Sequence, residues 1–126
     1  MKHILIMEDN MQLALEWRDA FELNGDNVVL CFNGEDAISH LKDLRFDVIV
    51  LDMFIDGGKG GLHVIASMRG MRDKAPAIIA VTGAISGAYM TDSSNLFLTQ
   101  AKNLGASATI QKPFLAAELV LAAHSI

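Results

Sequence analysis

Short apolar runs and longer periodic segments alternate along the chain. Val48-Ile49-Val50-Leu51 is unbroken and largely β-branched, the pattern of a strand buried on both faces of a parallel sheet. With Phe46 and Asp47 ahead of it, this run ends on Asp52 and leads into Asp56-Gly57-Gly58-Lys59-Gly60-Gly61, which reads as a loop. Ile4–Met7, Asn27–Phe32 and Ala77–Val81 (behind Pro76) are further candidate strands, and Ser107–Gln111 is a weaker one. Between them lie helical patterns. Leu13, Trp17 and Phe21 recur behind Asn10, a potential N-cap, and Asn24-Gly25 ends that helix. Asn33-Gly34 opens a short helix with Ala37, Ile38 and Leu41 inward. Leu62, Ile65, Ala66 and Met68 predict a third helix ending near Gly70. Leu96–Leu104, stopped by Gly105, and Phe114–His124 predict two more.

Strand and helix thus alternate five times. Such alternation implies right-handed βαβ crossovers and a parallel sheet with helices on both faces. The expected class is α/β: a flavodoxin-like, doubly wound (βα)5 fold with strand order 2-1-3-4-5, strands one and three flanking the switch point.

Composition narrows the picture without changing it. A length of 126 residues favours one domain over 1–126, and 52% apolar content excludes a disordered chain. A net charge of −5 argues against direct nucleic-acid binding. The single cysteine, Cys31, lies in an apolar run and reads as an inert buried thiol. No stretch approaches the ~18 apolar residues of a membrane helix, and the N-terminal apolar run passes straight into acids. A soluble cytoplasmic protein with no membrane partner is expected.

The residues that follow each strand carry the chemistry. Ligands of open α/β sheets bind outside the carboxyl ends of the strands. Strand one ends in Glu8-Asp9, strand three in Asp52, strand four in Thr82-Gly83 and strand five in Lys112. In the expected order these ends are neighbours. Asp52 alone would equally suit a turn cap. Three carboxylates on one crevice instead repel and call for a cation, and an all-oxygen site suits Mg²⁺. A carboxylate nucleophile beside a cation, a Lys and a Thr is equipped for phosphoryl transfer.

Four pieces together carry a family resemblance: Ile4-Leu5-Ile6-Met7-Glu8-Asp9-Asn10, Val48-Ile49-Val50-Leu51-Asp52-Met53, Val81-Thr82-Gly83 and Lys112-Pro113-Phe114. In this order the sequence resembles, over essentially its whole length, the receiver domain of two-component response regulators, the CheY-like superfamily. The resemblance implies a bacterial phosphorelay switch that accepts a phosphoryl group from a histidine onto Asp52 with Mg²⁺. It implies Asp9 as direct Mg²⁺ ligand, Glu8 as its partner, and the Phe54 backbone carbonyl as a further ligand. Thr82 resembles the hydroxyl that bonds the phosphoryl group and Lys112 the lysine that pairs with it. A cis Lys112-Pro113 bond is implied as well. So are the partners: a sensor histidine kinase or histidine phosphotransfer protein, a downstream protein on the helix 4–strand 5–helix 5 face, and a second copy in a homodimer. No enzyme activity is expected beyond self-phosphotransfer and autodephosphorylation.

The sequence departs from the family pattern in three places. Asp56 stands where the family commonly has Pro, and an extra glycine precedes Leu62. Thr109 occupies the position of the usual switch aromatic. The span from Thr82 to Lys112 is extended, with the surplus in Ala84–Asn95, including Tyr89 and Thr91-Asp92-Ser93-Ser94. These departures leave two readings of Ala84–Asn95: a segment whose reordering reads out phosphorylation, or simply a longer surface loop. A phosphate-loop reading of Gly57–Gly61 fails because neither the leading glycine nor the Ser or Thr after Lys59 is present. His3, His40, His63 and His124 show no ligand spacing and receive no role. The alternative in another class is a receiver-like module that binds partners without being phosphorylated.

Overall fold

The computed structural model describes residues 1–54, 59–83 and 99–126. Five strands are described: β1 (His3–Met7), β2 (Asn27–Cys31), β3 (Val48–Asp52), β4 (Ala77–Thr82) and β5 (Ala108–Gln111). They form one parallel sheet of order β2-β1-β3-β4-β5, as the alternating pattern required. The helices are α1 (Met11–Leu23), α2 (Gly34–Asp43), α3 (Lys59–Met68), helical residues 99–103 (α4) and α5 (Ala116–His124).

β3 is central, and all five of its residues are buried. Its alternate side chains serve two cores. Val48 and Val50 join Trp17 and Phe21 of α1 and Leu119 and Ala123 of α5. Ile49 and Leu51 join Leu41 of α2, Val64, Ile65 and Met68 of α3, and Ala101 of α4. A run apolar at every position therefore answers to helices on both faces. Asn10 caps α1 as expected, and Asn33 caps α2. Asn10 Oδ1 accepts the Leu13 amide at 3.1 Å, and Asn33 Oδ1 accepts the Asp36 amide at 2.8 Å. Gly25, at φ 92°, follows α1 in the left-handed conformation that glycine adopts without strain.

Several boundaries differ from expectation. Lys59-Gly60-Gly61 is not loop but the first turn of α3. A Cβ on Gly61 would lie 2.8 Å from Met53 Sδ and 3.2 Å from Met53 Cα. The absent side chain lets α3 start directly against the residue after Asp52. The third helix ends at Met68, near Gly70 as expected. It passes at Met68 into a 3-10 segment, Arg69–Lys74, inside which Arg72 has φ 55°. β2 ends at Cys31 rather than Phe32, and α5 starts at Ala116 rather than Phe114, while β3 starts at Val48 as its apolar run does. Asp47 uses its carboxylate instead to accept the His3 amide at 2.8 Å.

At the N-terminal edge of the sheet, Asp26 ties three segments together. Its carboxylate accepts the Lys2 amide at 3.0 Å and Asn24 Nδ2 at 3.3 Å, and lies 2.7 Å from His124 Nε2. Lys2 Nζ also donates to the Ala123 carbonyl at 3.0 Å. His124, given no role from sequence, is thus a structural partner. Burial alone would raise the Asp26 carboxyl, but His124, the Lys2 amide and Asn24 hold it below its ordinary value. No helix among the described residues is long and apolar enough to cross a membrane. The segment Ala84–Asn95, and Asp56 with its glycines 57 and 58, lie outside the described residues.

Candidate functional site

The strand ends converge as the topology demands. β1 delivers Glu8, fully buried, and Asp9, exposed. β3 delivers Asp52, 5% exposed. One carboxylate oxygen from each of Glu8, Asp9 and Asp52 lies within 4.8 Å of the others. β4 delivers Thr82, fully buried, whose carbonyl accepts the Lys112 amide at 2.8 Å and so registers the residue after β5. Lys112 Nζ then reaches across the crevice. It donates to Glu8 Oε1 and, at 3.3 Å, to Asp52 Oδ2.

Backbone amides fix the two buried acids. The Phe54 amide donates to Asp52 Oδ1 at 2.9 Å, and the Asn10 amide donates to Glu8 Oε2 at 3.2 Å. Asp52 is therefore held from both sides, Oδ1 by the turn that follows β3 and Oδ2 by Lys112. Met53 completes the strand by donating its amide to the Val81 carbonyl at 2.8 Å.

The electrostatics follow from burial. Desolvation, and then the neighbouring Asp52, push the Glu8 carboxyl up to about 8 against the pull of Lys112. Burial would lower the Lys112 ammonium, but its Glu8 and Asp52 partners outweigh this and hold it above its ordinary value. One ammonium faces three carboxylates, so the cluster is under-neutralised. A hard divalent cation taking carboxylate oxygens and water would relieve it, and the donor set fits Mg²⁺ on that ground.

Two aromatic residues stand behind the lysine. Trp17 of α1 and Phe114 stack with centroids 5.3 Å apart, and Lys112 Nζ lies 5.5 Å from the Trp17 ring centroid. Trp17 is core, at 2% exposure, but it also backs the site. Its helical spacing showed the first property; only the packing of α1 on the segment after β5 shows the second. Lys112-Pro113 is cis. Thr109, at the expected aromatic position, is half-buried on β5 opposite Ala80 of β4. Cys31 is buried, and burial pushes its thiol up to about 12, in keeping with an inert role.

Comparison with known families matches the response regulator receiver domain over residues 4–124. The chain belongs to the response regulator receiver family. Among curated relatives, the receiver is 26% identical over 126 residues to the transcriptional regulatory protein CpxR of Escherichia coli K12, covering 100% of this chain and 49% of that protein. It is 28% identical over 127 residues to the response regulator SaeR of Staphylococcus aureus, covering 100% of this chain and 50% of that protein. The chain thus spans about half the length of the curated relatives it matches. Among solved structures, a CheY-like receiver from Methanospirillum hungatei superposes with a TM-score of 0.80 at 21% identity, covering 99% of this chain and 92% of the other. The receiver domain of a Francisella response regulator gives 0.79 at 22% identity, with 99% and 95% covered. These structures support the fold. The receiver is a response-regulator module of two-component signalling.

Proposed function

We propose that this receiver is a phosphorylation-dependent switch and that Asp52 is its phospho-acceptor. The observation that carries the reading is the juxtaposition of Glu8, Asp9 and Asp52 oxygens within 4.8 Å, with Lys112 bridging Glu8 and Asp52. An Asp52 carboxylate oxygen attacks the phosphorus of a phosphohistidine. An O–P bond forms, the N–P bond breaks, and its electron pair leaves with the imidazole. The Phe54 amide and Lys112 hold the nucleophile's orientation. Lys112, already within reach of Asp52, offers charge to the phosphoryl oxygens, and Thr82 offers a hydroxyl at the neighbouring strand end.

Glu8, Asp9 and Asp52, with the Phe54 carbonyl, are the groups that would hold Mg²⁺. When bound, the ion supplies charge neutralisation for the transferring phosphoryl group. Asp9 is exposed while Glu8 is buried against Lys112, which favours Asp9 as the direct ligand. The phosphodonor is a sensor histidine kinase or a histidine phosphotransfer protein. The output partner, or a second copy, engages the α4–β5–α5 face. The chain's own chemistry is confined to its self-phosphotransfer and hydrolysis.

Intact-mass measurement after incubation with acetyl phosphate and Mg²⁺ tests the reading. The wild type gains one phosphoryl group, and Asp52→Asn gains none while keeping a cooperative melt. An unmodified wild type would favour a partner-binding module without phosphorylation, and undiminished labelling of Asp52→Asn would place the acceptor elsewhere.

A further inference from the structure

At the opposite edge of the sheet from Asp52, a cleft of 720 Å³ opens between α2 and the 3-10 segment Arg69–Lys74. Its floor is apolar, made by Ile38, Leu41 and Met71. Lys42, Arg72 and Lys74 line its rim. An adjoining hollow of 310 Å³ shares Leu41, Lys42, Met71 and Lys74 with it and extends past Leu44 and Arg45. The two form one elongated groove. Leu44 is 52% exposed at its far end, an unsheltered apolar side chain on a path otherwise rimmed by charge.

Charge sets this groove apart. Four cations (Lys42, Arg45, Arg72 and Lys74) face two carboxylates, Asp43 and Asp73, in a chain of net charge −5. None of the four makes an ion pair or a side-chain hydrogen bond among the described residues. The backbone adds to this. Arg72 has φ 55° and ψ −125°, a conformation that suits glycine and strains other residues. A cation therefore stands at a position where glycine would relieve strain. Strained residues of this kind gather at ligand clamps.

We propose that this groove binds an acidic peptide segment of a partner protein, one carrying apolar side chains on the face it presents. The elongated shape and apolar floor suit helix-in-groove docking, and the unpaired cations supply complementary charge. Because the groove lies at the N-terminal edge of the sheet, a segment seated there leaves the carboxylate crevice open. The receiver could then be held by one partner and served by another at once. The inference rests on this groove alone and not on phosphotransfer at Asp52.

Fluorescence anisotropy with a labelled Glu-rich peptide bearing leucines at i, i+3 and i+4 tests it. Saturable binding is expected, weakening as salt rises. Arg72→Glu combined with Lys74→Glu should weaken it at least tenfold, Arg18→Glu on α1, away from the groove, should leave it unchanged, and the peptide with leucines replaced by serine should bind at least tenfold more weakly. The substituted groove side chains are exposed, and circular dichroism checks each fold. Should the double variant unfold, Arg45→Glu and Lys42→Glu carry the same expectation singly. Absence of saturable binding would overturn the proposal, as would equal affinity for the serine peptide or equal loss with Arg18→Glu. Tighter binding of a DNA duplex or an anionic vesicle would assign the groove to a different anion. A variant that abolishes self-association of the chain alone would assign it to a second copy.

Discussion

Glu8→Gln isolates the electrostatic cost stored in the site. Glu8 is fully buried, and burial together with Asp52 lifts its carboxyl from an ordinary 4.5 to about 8. Below pH 4.5 both the folded and the unfolded states carry the proton. Between 4.5 and 8 the unfolded chain releases it while the fold retains it, so folding stability falls as pH rises through this window. Carried through in full, the shift is worth about 5 kcal/mol. Lys112, 19% exposed, lets solvent screen the crevice, so about 2–3 kcal/mol is expected. Glutamine keeps the shape and an acceptor for Lys112 but has no proton to lose. Without metal, the melting temperature of Glu8→Gln relative to wild type should therefore climb by roughly 10 °C between pH 5 and pH 8.5. Thermal melts of both proteins across that range read it directly. With Mg²⁺ present the gap should shrink, because an ion favours the ionised carboxylate and stabilises only the fold that binds it. A difference between the two proteins that stays flat from pH 5 to 8.5 would refute the reasoning.

Asp26→Asn should destabilise the fold by about 1–3 kcal/mol in denaturant titrations at pH 7, because a buried acceptor of the Lys2 amide and His124 loses its charge. Since the Asp26 carboxyl is held low, that difference should be full above its ordinary value of 3.8 and fade as pH falls below it. Gly61→Ala should cost about 1–3 kcal/mol by forcing its Cβ against Met53, and should slow phosphoryl labelling because Met53 directly follows Asp52, the proposed acceptor. Cys31 should resist a thiol reagent at pH 8 in the native protein and react at once in denaturant; fast native labelling would contradict its burial.

The local pattern determined the elements and their order. An apolar run such as Val48–Leu51 must be covered on both faces, and only alternation with helices covers it. Residues after parallel strands must share one edge, so Glu8, Asp9, Asp52, Thr82 and Lys112 were legible as a site without a single distance. Tertiary structure decided what depends on approach rather than on period. Glycines 60 and 61 read as loop because glycine lowers helix propensity, yet both lie in the first turn of α3, and at Gly61 a Cβ would crowd Met53. His124 and Asp26 lie far apart in sequence, and no spacing announces a pair that forms only when α5 folds back onto α1 and the start of β2. Trp17 carried a core signal from its helical period. Its second position, beside Lys112, follows from how α1 packs on the segment after β5, which periodicity does not encode. The basic groove has the same origin: Lys42 lies in the last turn of α2 and Arg45 follows it, Arg72 and Lys74 lie in the 3-10 segment, and charge separated along the chain becomes a surface only when the two are packed together.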